Sequence, residues 1–220
     1  MAADTNYIPF EFQNEEGQYT GFDLDLLKAI AEDQGFQYEI SYVGYNQSLD
    51  ELENRAADAA IGGIALTGEK TELFDLSNPY FESGLALGVV STDTKINGYE
   101  QLASQKVAVL KDSQAAEYAE SIADKYKFEV IPYPEAENVY EAVRSGKTAA
   151  CIENYPVLGY DIKQENGLRM AGEKVAGSSF GLAVIKGENQ EFLDMFNAGL
   201  EHIKEDGTYE EILNRYISEG

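Results

Sequence analysis

The 220-residue chain has no tryptophan, a single cysteine, a single histidine and five prolines, and each shortage removes a class of protein. One thiol cannot close a disulfide within the chain, so a cross-linked scaffold is ruled out. Cys151 lies in the apolar run Ala149-Ala150-Cys151-Ile152, which predicts a buried strand thiol and not a reactive one. One histidine supplies no Ser-His-Asp set and no metal cluster. His202 itself falls beside Glu201 and Lys204 on a late amphipathic segment, where a solvated ring is expected. Positive charge is also scarce: sixteen Lys and Arg stand against forty Asp and Glu, a formal charge of −24. Such a surface repels phosphate backbones and anionic head groups over a Debye length, which argues against nucleic-acid partners and suits a soluble protein. No apolar run approaches the eighteen residues of a membrane span. What the chain does have is 44% apolar and 11% aromatic residues, enough to pack one large or two small domains.

Periodicity divides it into alternating helices and strands. Phe22, Leu26, Leu27 and Ile30 fall at helical spacing, with Gly35 as a C-terminal stop. Tyr38 to Val43 alternates with period two and predicts a strand; Leu49, Leu52 and Arg55 predict a short helix, and Ala59 to Ile64 a buried strand ending in a glycine corner. The middle of the chain repeats the theme with strands at Lys106–Leu110 and Phe128–Ile131, helices at 115–126 and 136–144, and a strand at 149–152. The stretch from Leu52 to Ala60 resembles that from Ala142 to Ala150, a weak internal repeat that favours two similar lobes. The end of the chain holds the apolar strand Phe180–Ile185 and a helix bearing Phe192, Phe196, Leu200 and Ile203. Gly207 stops that helix, and Thr208 with Glu211 predicts a capping box for a final one. Alternation of this kind implies parallel pairing within an α/β layer.

Several segments carry a more specific signal. The opening runs Asp4, Tyr7, Pro9-Phe10-Glu11-Phe12, then Gly21-Phe22-Asp23-Leu24-Asp25 into a helix. Gly62-Gly63-Ile64-Ala65-Leu66-Thr67-Gly68-Glu69-Lys70 precedes Phe74-Asp75-Leu76-Ser77; Leu110-Lys111-Asp112-Ser113-Gln114-Ala115 joins a strand to a helix; and Cys151-Ile152-Glu153-Asn154-Tyr155-Pro156 ends a strand before a proline. In this order and spacing the chain resembles, from Asp4 to its last helix but without a first strand, the extracytoplasmic solute-binding proteins of polar amino-acid ABC transporters, family 3, of which the glutamine-binding proteins are typical. The resemblance implies a type II periplasmic-binding fold: two α/β lobes joined by a two-stranded hinge, with a ligand cleft between them. Lobe 1 would comprise 1–84 and 184–220, and lobe 2 would comprise 85–183. The crossings would be Ser83 to Leu87 and Ser179 to Ala183.

It also implies a ligand-binding set of Asp4, Tyr7, Glu11, Tyr45, Gly62, Gly63, Ala65, Lys70, Lys111, Gln114, Ala115 and Asn154, with no metal, no cofactor and no catalytic residue. Tyr7 and Tyr45 match positions where the family holds its ligand between rings, which suits a group with π or cationic character. Two anchors differ from the pattern. The family's carboxylate-gripping arginine falls on Lys70, a point charge in place of a bidentate fork, and its hydroxyl residue falls on Ala65. The aspartate that pairs with the ligand's ammonium falls on Asn154, which has no charge; Glu153 would face the other way by strand alternation. Loss of one partner from a desolvated pair costs about 3–5 kcal/mol, so an ordinary zwitterion should bind poorly unless Asp4 or Glu11 compensates. Plainer readings stand beside these: Lys70 as a surface lysine, Asp112 or Ser113 as a helix cap, and Asn154 as a turn residue.

The expected function is capture of a small polar ligand, an amino acid or a derivative, by hinge closure, with delivery to the permease of an ABC importer. The chain would act as a monomer outside the cytoplasm, in the periplasm or lipid-anchored at the cell surface, its export leader already removed. Two alternatives share the scaffold: the extracellular sensor domain of a signalling receptor, and a cyclohexadienyl-dehydratase-like enzyme using Glu11, Glu153 or Lys111 as general acid.

Overall fold

A computed structural model describes residues 1–165 and 167–218, with the side chains of Glu69 and Ala176 left aside. In chain order the first segment holds β1 (Ala2–Ala3), β2 (Phe12–Gln13), β3 (Tyr19–Thr20), α1 (Phe22–Gln34), β4 (Ser41–Tyr42), α2 (Tyr45–Glu53), β5 (Ala60–Ala65), α3 (Gly68–Leu73) and β6 (Phe74–Leu76). The second holds β7 (Phe81–Val90), β8 (Lys106–Leu110), α4 (Gln114–Tyr126), β9 (Glu129–Tyr133), α5 (Ala136–Arg144), β10 (Ala150–Asn154), α6 (Tyr155–Lys163) and β11 (Leu168–Met170). Then β12 (Val175–Ile185), α7 (Gln190–Glu205) and α8 (Thr208–Tyr216) complete the chain. Two compact units result: unit 1 is Met1–Glu82 with Ser178–Tyr216, and unit 2 is Ser83–Gly177 with the C-terminal residues from Ile217. The chain changes unit inside β7 and again inside β12.

In unit 1, β1 pairs in parallel with both β4 and β5, while β12 runs antiparallel to β5 and β6. The first strand is therefore present, as the two-residue stub Ala2–Ala3, where none was expected from the sequence. Conversely, the strand expected over Tyr38 to Val43 shrinks to Ser41–Tyr42, because β1, its only pairing partner, offers two residues. Helix α1 packs Phe22, Leu26, Leu27 and Ile30 inward, and Gly35, at φ 72°, closes it with its N–H on the Ala31 carbonyl. Behind β5 an aromatic cluster forms: Phe10 meets Phe22, Phe81 and Phe180 edge-on at centroid distances of 4.9 to 6.0 Å. At the start of α8, Asp206 replaces the expected Thr208 cap, its Oδ1 accepting the Thr208 N–H at 2.9 Å. Helix α8 begins one residue too early for Thr208 to cap it.

In unit 2, β8 pairs in parallel with β9 and β10, and β7 lies antiparallel to β10 and β11. Val107, Val109, Ile152, Leu87 and Ala115 form its core beneath α4. Cys151 is wholly buried, as its apolar run suggested. The tail belongs here: Ser218 donates its N–H to the Gly159 carbonyl at 3.0 Å, and Ile217 is buried. Among the described residues no helix is long and apolar enough to cross a membrane.

Candidate functional site

The residues singled out in the sequence fall into one group on each unit. On unit 1 the parallel strands β1, β4 and β5 end at one edge, and that edge carries Asp4 after β1, Tyr45 at the start of α2, and Gly62-Gly63 within β5. Open α/β sheets bind ligands beyond such carboxyl ends. Here Asp4, Tyr7, Tyr45, Gly62 and Gly63 line a cavity of about 250 Å³. A larger recess of about 1030 Å³ near Lys28, Phe36 and Phe192 contains none of these residues, so volume alone does not mark the site.

Local chemistry holds each wall. The Ile8–Pro9 peptide is cis, and the turn it makes returns Glu11 against Tyr7, whose N–H donates to the Glu11 carbonyl at 2.7 Å. Tyr7 then stacks on Phe10 at 4.9 Å. Gly63 sits at φ 60° and directly under the Tyr7 ring, so close that a Cβ would overlap Cε1. Only glycine allows both the left-handed backbone and this approach. Asp4, which lines the same pocket, accepts the Thr5 N–H on Oδ1 at 2.6 Å. Ala65 ends β5, and Lys70, on the short helix α3, places Nζ 5.7 Å from the Tyr45 ring centre, beside the cavity and not within its lining.

Glu11 has no exposed surface: it stands behind the wall and not on it. A Cβ on Gly62 would come within 3.7 Å of Glu11 Oε1. Deeper still is Asp23, also fully buried, whose Oδ2 accepts the Tyr80 hydroxyl at 2.6 Å and the Gly63 N–H at 3.4 Å. Both Glu11 oxygens and Asp23 Oδ1 meet no N–H or hydroxyl donor among the described residues; the two carboxyls have only each other to bond with. Burial first, and then the neighbouring Asp23 charge, pushes the Glu11 carboxyl well above its ordinary range. Burial pushes Asp23 up to about 6, against the opposing pull of Glu11, Tyr80 and Gly63. Sequence reading missed Asp23 and Tyr80. The clue available was that Asp23 shares a helix face with Leu27 and Ile30, the buried face of α1.

This pair has a consequence for stability. A carboxyl whose folded pKa is raised favours the folded state while protonated, so its contribution is full below the unfolded value near 4 and is lost as pH rises through 6 and beyond. The protein is expected to be more stable at pH 5 than at pH 8, by on the order of 2 kcal/mol from this pair. Urea melts at the two pH values check it. Glu11→Gln should flatten the difference, and an unchanged pH dependence in that variant would assign the effect to the surface charge.

On unit 2, β8 and β10 are parallel neighbours ending at one edge, where α4 and α6 begin. Ser113 caps α4, its Oγ accepting the Ala116 N–H at 3.1 Å and donating to the Leu110 carbonyl. The expected capping role there thus falls to Ser113, while Asp112 pairs with Lys111 at 3.8 Å. Lys111 and Gln114 are exposed, whereas the Ala115 side chain lies in the core of unit 2 and can offer a ligand only its backbone. Asn154 ends β10 and occupies the N-cap position of α6 without a cap bond from its side chain. It is half-buried, with its N–H donated to Glu153 Oε1 at 2.7 Å. Glu153 is buried, and that burial raises its pKa. His202 is exposed, pairs with Asp33 at 2.8 Å, and is not in the lining of the unit 1 cavity.

The family model of the bacterial extracellular solute-binding proteins, family 3, matches residues 1–219. An arginine-binding periplasmic protein of Mannheimia haemolytica is 28% identical over 223 residues, covering 99% of this chain and 90% of its own. The glutamine-binding protein GlnH of the Bacillus subtilis ABC transporter is 28% identical over 92% of this chain and 74% of its own. Among solved structures, substrate binding domain 2 of Lactococcus lactis GlnP is 31% identical with a TM-score of 0.95, over 98% of this chain and 93% of that one. With residues 1–219 matched by the family's model, the protein belongs to the bacterial extracellular solute-binding proteins of family 3.

Proposed function

We propose that this solute-binding protein captures an amino acid, or an amine or amide derived from one, whose side chain carries positive charge. The observation that supports this reading most is the make-up of the unit 1 pocket: two tyrosine rings and the Asp4 carboxylate line it, two further acids stand behind it, and no Lys or Arg is in its lining. Ring faces and a carboxylate suit a guanidinium or ammonium group. The arginine-binding relative supports the same choice. Lys70 and Asn154 would grip the α-carboxylate and α-amino groups less firmly than Arg and Asp, which extends the ligand range to derivatives lacking one of those charges.

The ligand would be handed to a membrane permease by a monomeric protein held outside the cytoplasm, in the periplasm or by a lipid anchor. The protein would act as a receptor and not as an enzyme: two of the three candidate general acids, Glu11 and Glu153, are shut away from solvent. Binding closes the hinge. A thermal-shift screen over arginine, lysine, ornithine, agmatine, glutamine and cystine tests this. A ligand at 100 times its Kd adds about 2.7 kcal/mol, which moves Tm by roughly 5–11 °C in a chain of this size, at about 2–4 °C per kcal/mol. The cationic members should give that shift and Asp4→Ala should remove it; a response confined to glutamine or cystine would overturn the reading.

A further inference from the structure

Glu11 touches no solvent, and the polar side chain against it is another buried carboxyl, that of Asp23. Most buried carboxylates meet a cation or a neutral donor, so an acid buried against a second acid calls for an explanation. The side chains that interact electrostatically with it are acids and phenols: Asp23 on α1, Asp4 after β1, Tyr80, which donates its hydroxyl to Asp23, and Tyr7 and Tyr42. Two carboxyls side by side in a dry site cannot both ionise, so they hold one proton between them. Gly62 lines the ligand cavity and adjoins the carboxyl pair: a Cβ there would lie 3.3 Å from Asp4 Cβ and 3.7 Å from Glu11 Oε1.

We propose that Glu11 is a specificity-determining residue: it stands as a neutral acid behind the Gly62–Gly63 wall, and when a cationic ligand group settles beside Asp4 it releases its proton to solvent, so that uptake of the cation is exchanged for uptake of a proton by water or buffer. The O–H bond of Glu11 breaks, the proton leaves as hydronium or protonated buffer, and the charge left behind stabilises the ligand's cation. A neutral ligand gains nothing from this exchange and leaves Glu11 protonated. The pocket therefore distinguishes charged from uncharged side chains by a group that touches neither. This deepens the reading of the previous subsection and rests on it.

The linkage is measurable. For each proton released on binding, affinity rises about tenfold per pH unit across the range in which the acid titrates. Titration calorimetry of the full chain with arginine near pH 7, in buffers of different ionisation enthalpy, should give a net release of up to one proton per arginine. Infrared difference spectra should show loss of a protonated-carboxyl band on arginine addition. Glu11→Gln should bind arginine about tenfold more weakly relative to glutamine, the factor the linkage supplies over one pH unit, release no proton and lose the pH slope. Equal proton release in wild type and variant, or none in the wild type while arginine binds, would overturn the proposal. The infrared arm uses only wild-type protein, so it decides even if the variant fails to fold: an unchanged carboxyl band with bound arginine also overturns it. If no cationic ligand gives heat at all, the ligand assignment fails and the exchange fails with it, whereas a protonated-carboxyl band in the free protein would still establish the state of the Glu11–Asp23 pair.

Discussion

Gly63→Val is expected to abolish ligand binding and to destabilise the protein by roughly 2–5 kcal/mol. Two effects combine. The first is conformational: at φ 60° a β-branched residue is strained by about 1–2 kcal/mol. The second is steric, because the new atoms would enter the ring of Tyr7, which is itself pinned between Phe10 and Phe180 and cannot retreat. Overpacking of this kind costs about 1–3 kcal/mol. Gly146→Ala separates the two contributions, since Gly146 also has positive φ, 73°, but open space around its missing side chain. It should lose about 1 kcal/mol and bind normally. Chemical denaturation and calorimetry on both variants read the result; a Gly63→Val protein that binds as tightly as wild type would place the ligand elsewhere.

Asn154→Asp should produce the largest gain. Asparagine and aspartate are about equal as N-caps, and Asn154 holds the N-cap position of α6 with its side chain unengaged there, so fold stability should change little. The added carboxylate can pair with a ligand ammonium, and hydrogen bonds to charged groups are worth about 1.5–3 kcal/mol. Affinity for a free amino acid should therefore rise roughly 10- to 100-fold. An amine that lacks the α-carboxylate should gain as much, whereas a ligand with a blocked amino group should gain nothing. Adding Lys70→Arg should strengthen only ligands that carry a carboxylate, because the guanidinium fork matches that group. No gain for any amino acid would mean that Asn154 does not meet the ligand's ammonium.

How far the sequence discloses these features depends on what each residue must satisfy. Helices such as α1 and α5 were legible because a buried face repeats at a fixed period and the stop at Gly35 has one conformational cause. Short strands were not. Ala2–Ala3 is too brief to show alternation, and the length of β4 is set by its partner and not by its own residues. The cap at α8 was misread because Asp206 and Thr208 are both good capping residues and only the backbone path decides between them. In the site, the ring pair and glycine corner could be read from residue type and order. The burial of Glu11 could not: in Phe10-Glu11-Phe12 period-two reasoning sends the acid to the face opposite the two rings. The chain turns between Tyr7 and Glu11 instead, and all three side chains go inside. Asp23 was hidden for a related reason, since an acid in the first turn of a helix is ordinarily accounted for by the helix dipole.

The C-terminal tail has a practical consequence for anyone dividing the protein. A fragment cut as 83–177 would look complete by sequence, yet it would lack Ile217, whose side chain presses against Gly159, and Ser218, which bonds to the same residue. A glycine stands at 159 because that hydrocarbon occupies its side-chain space. Excised without the tail, the fragment would expose an apolar notch on α6. Supplying residues 217 and 218 as a tethered extension is the simplest way to refill it.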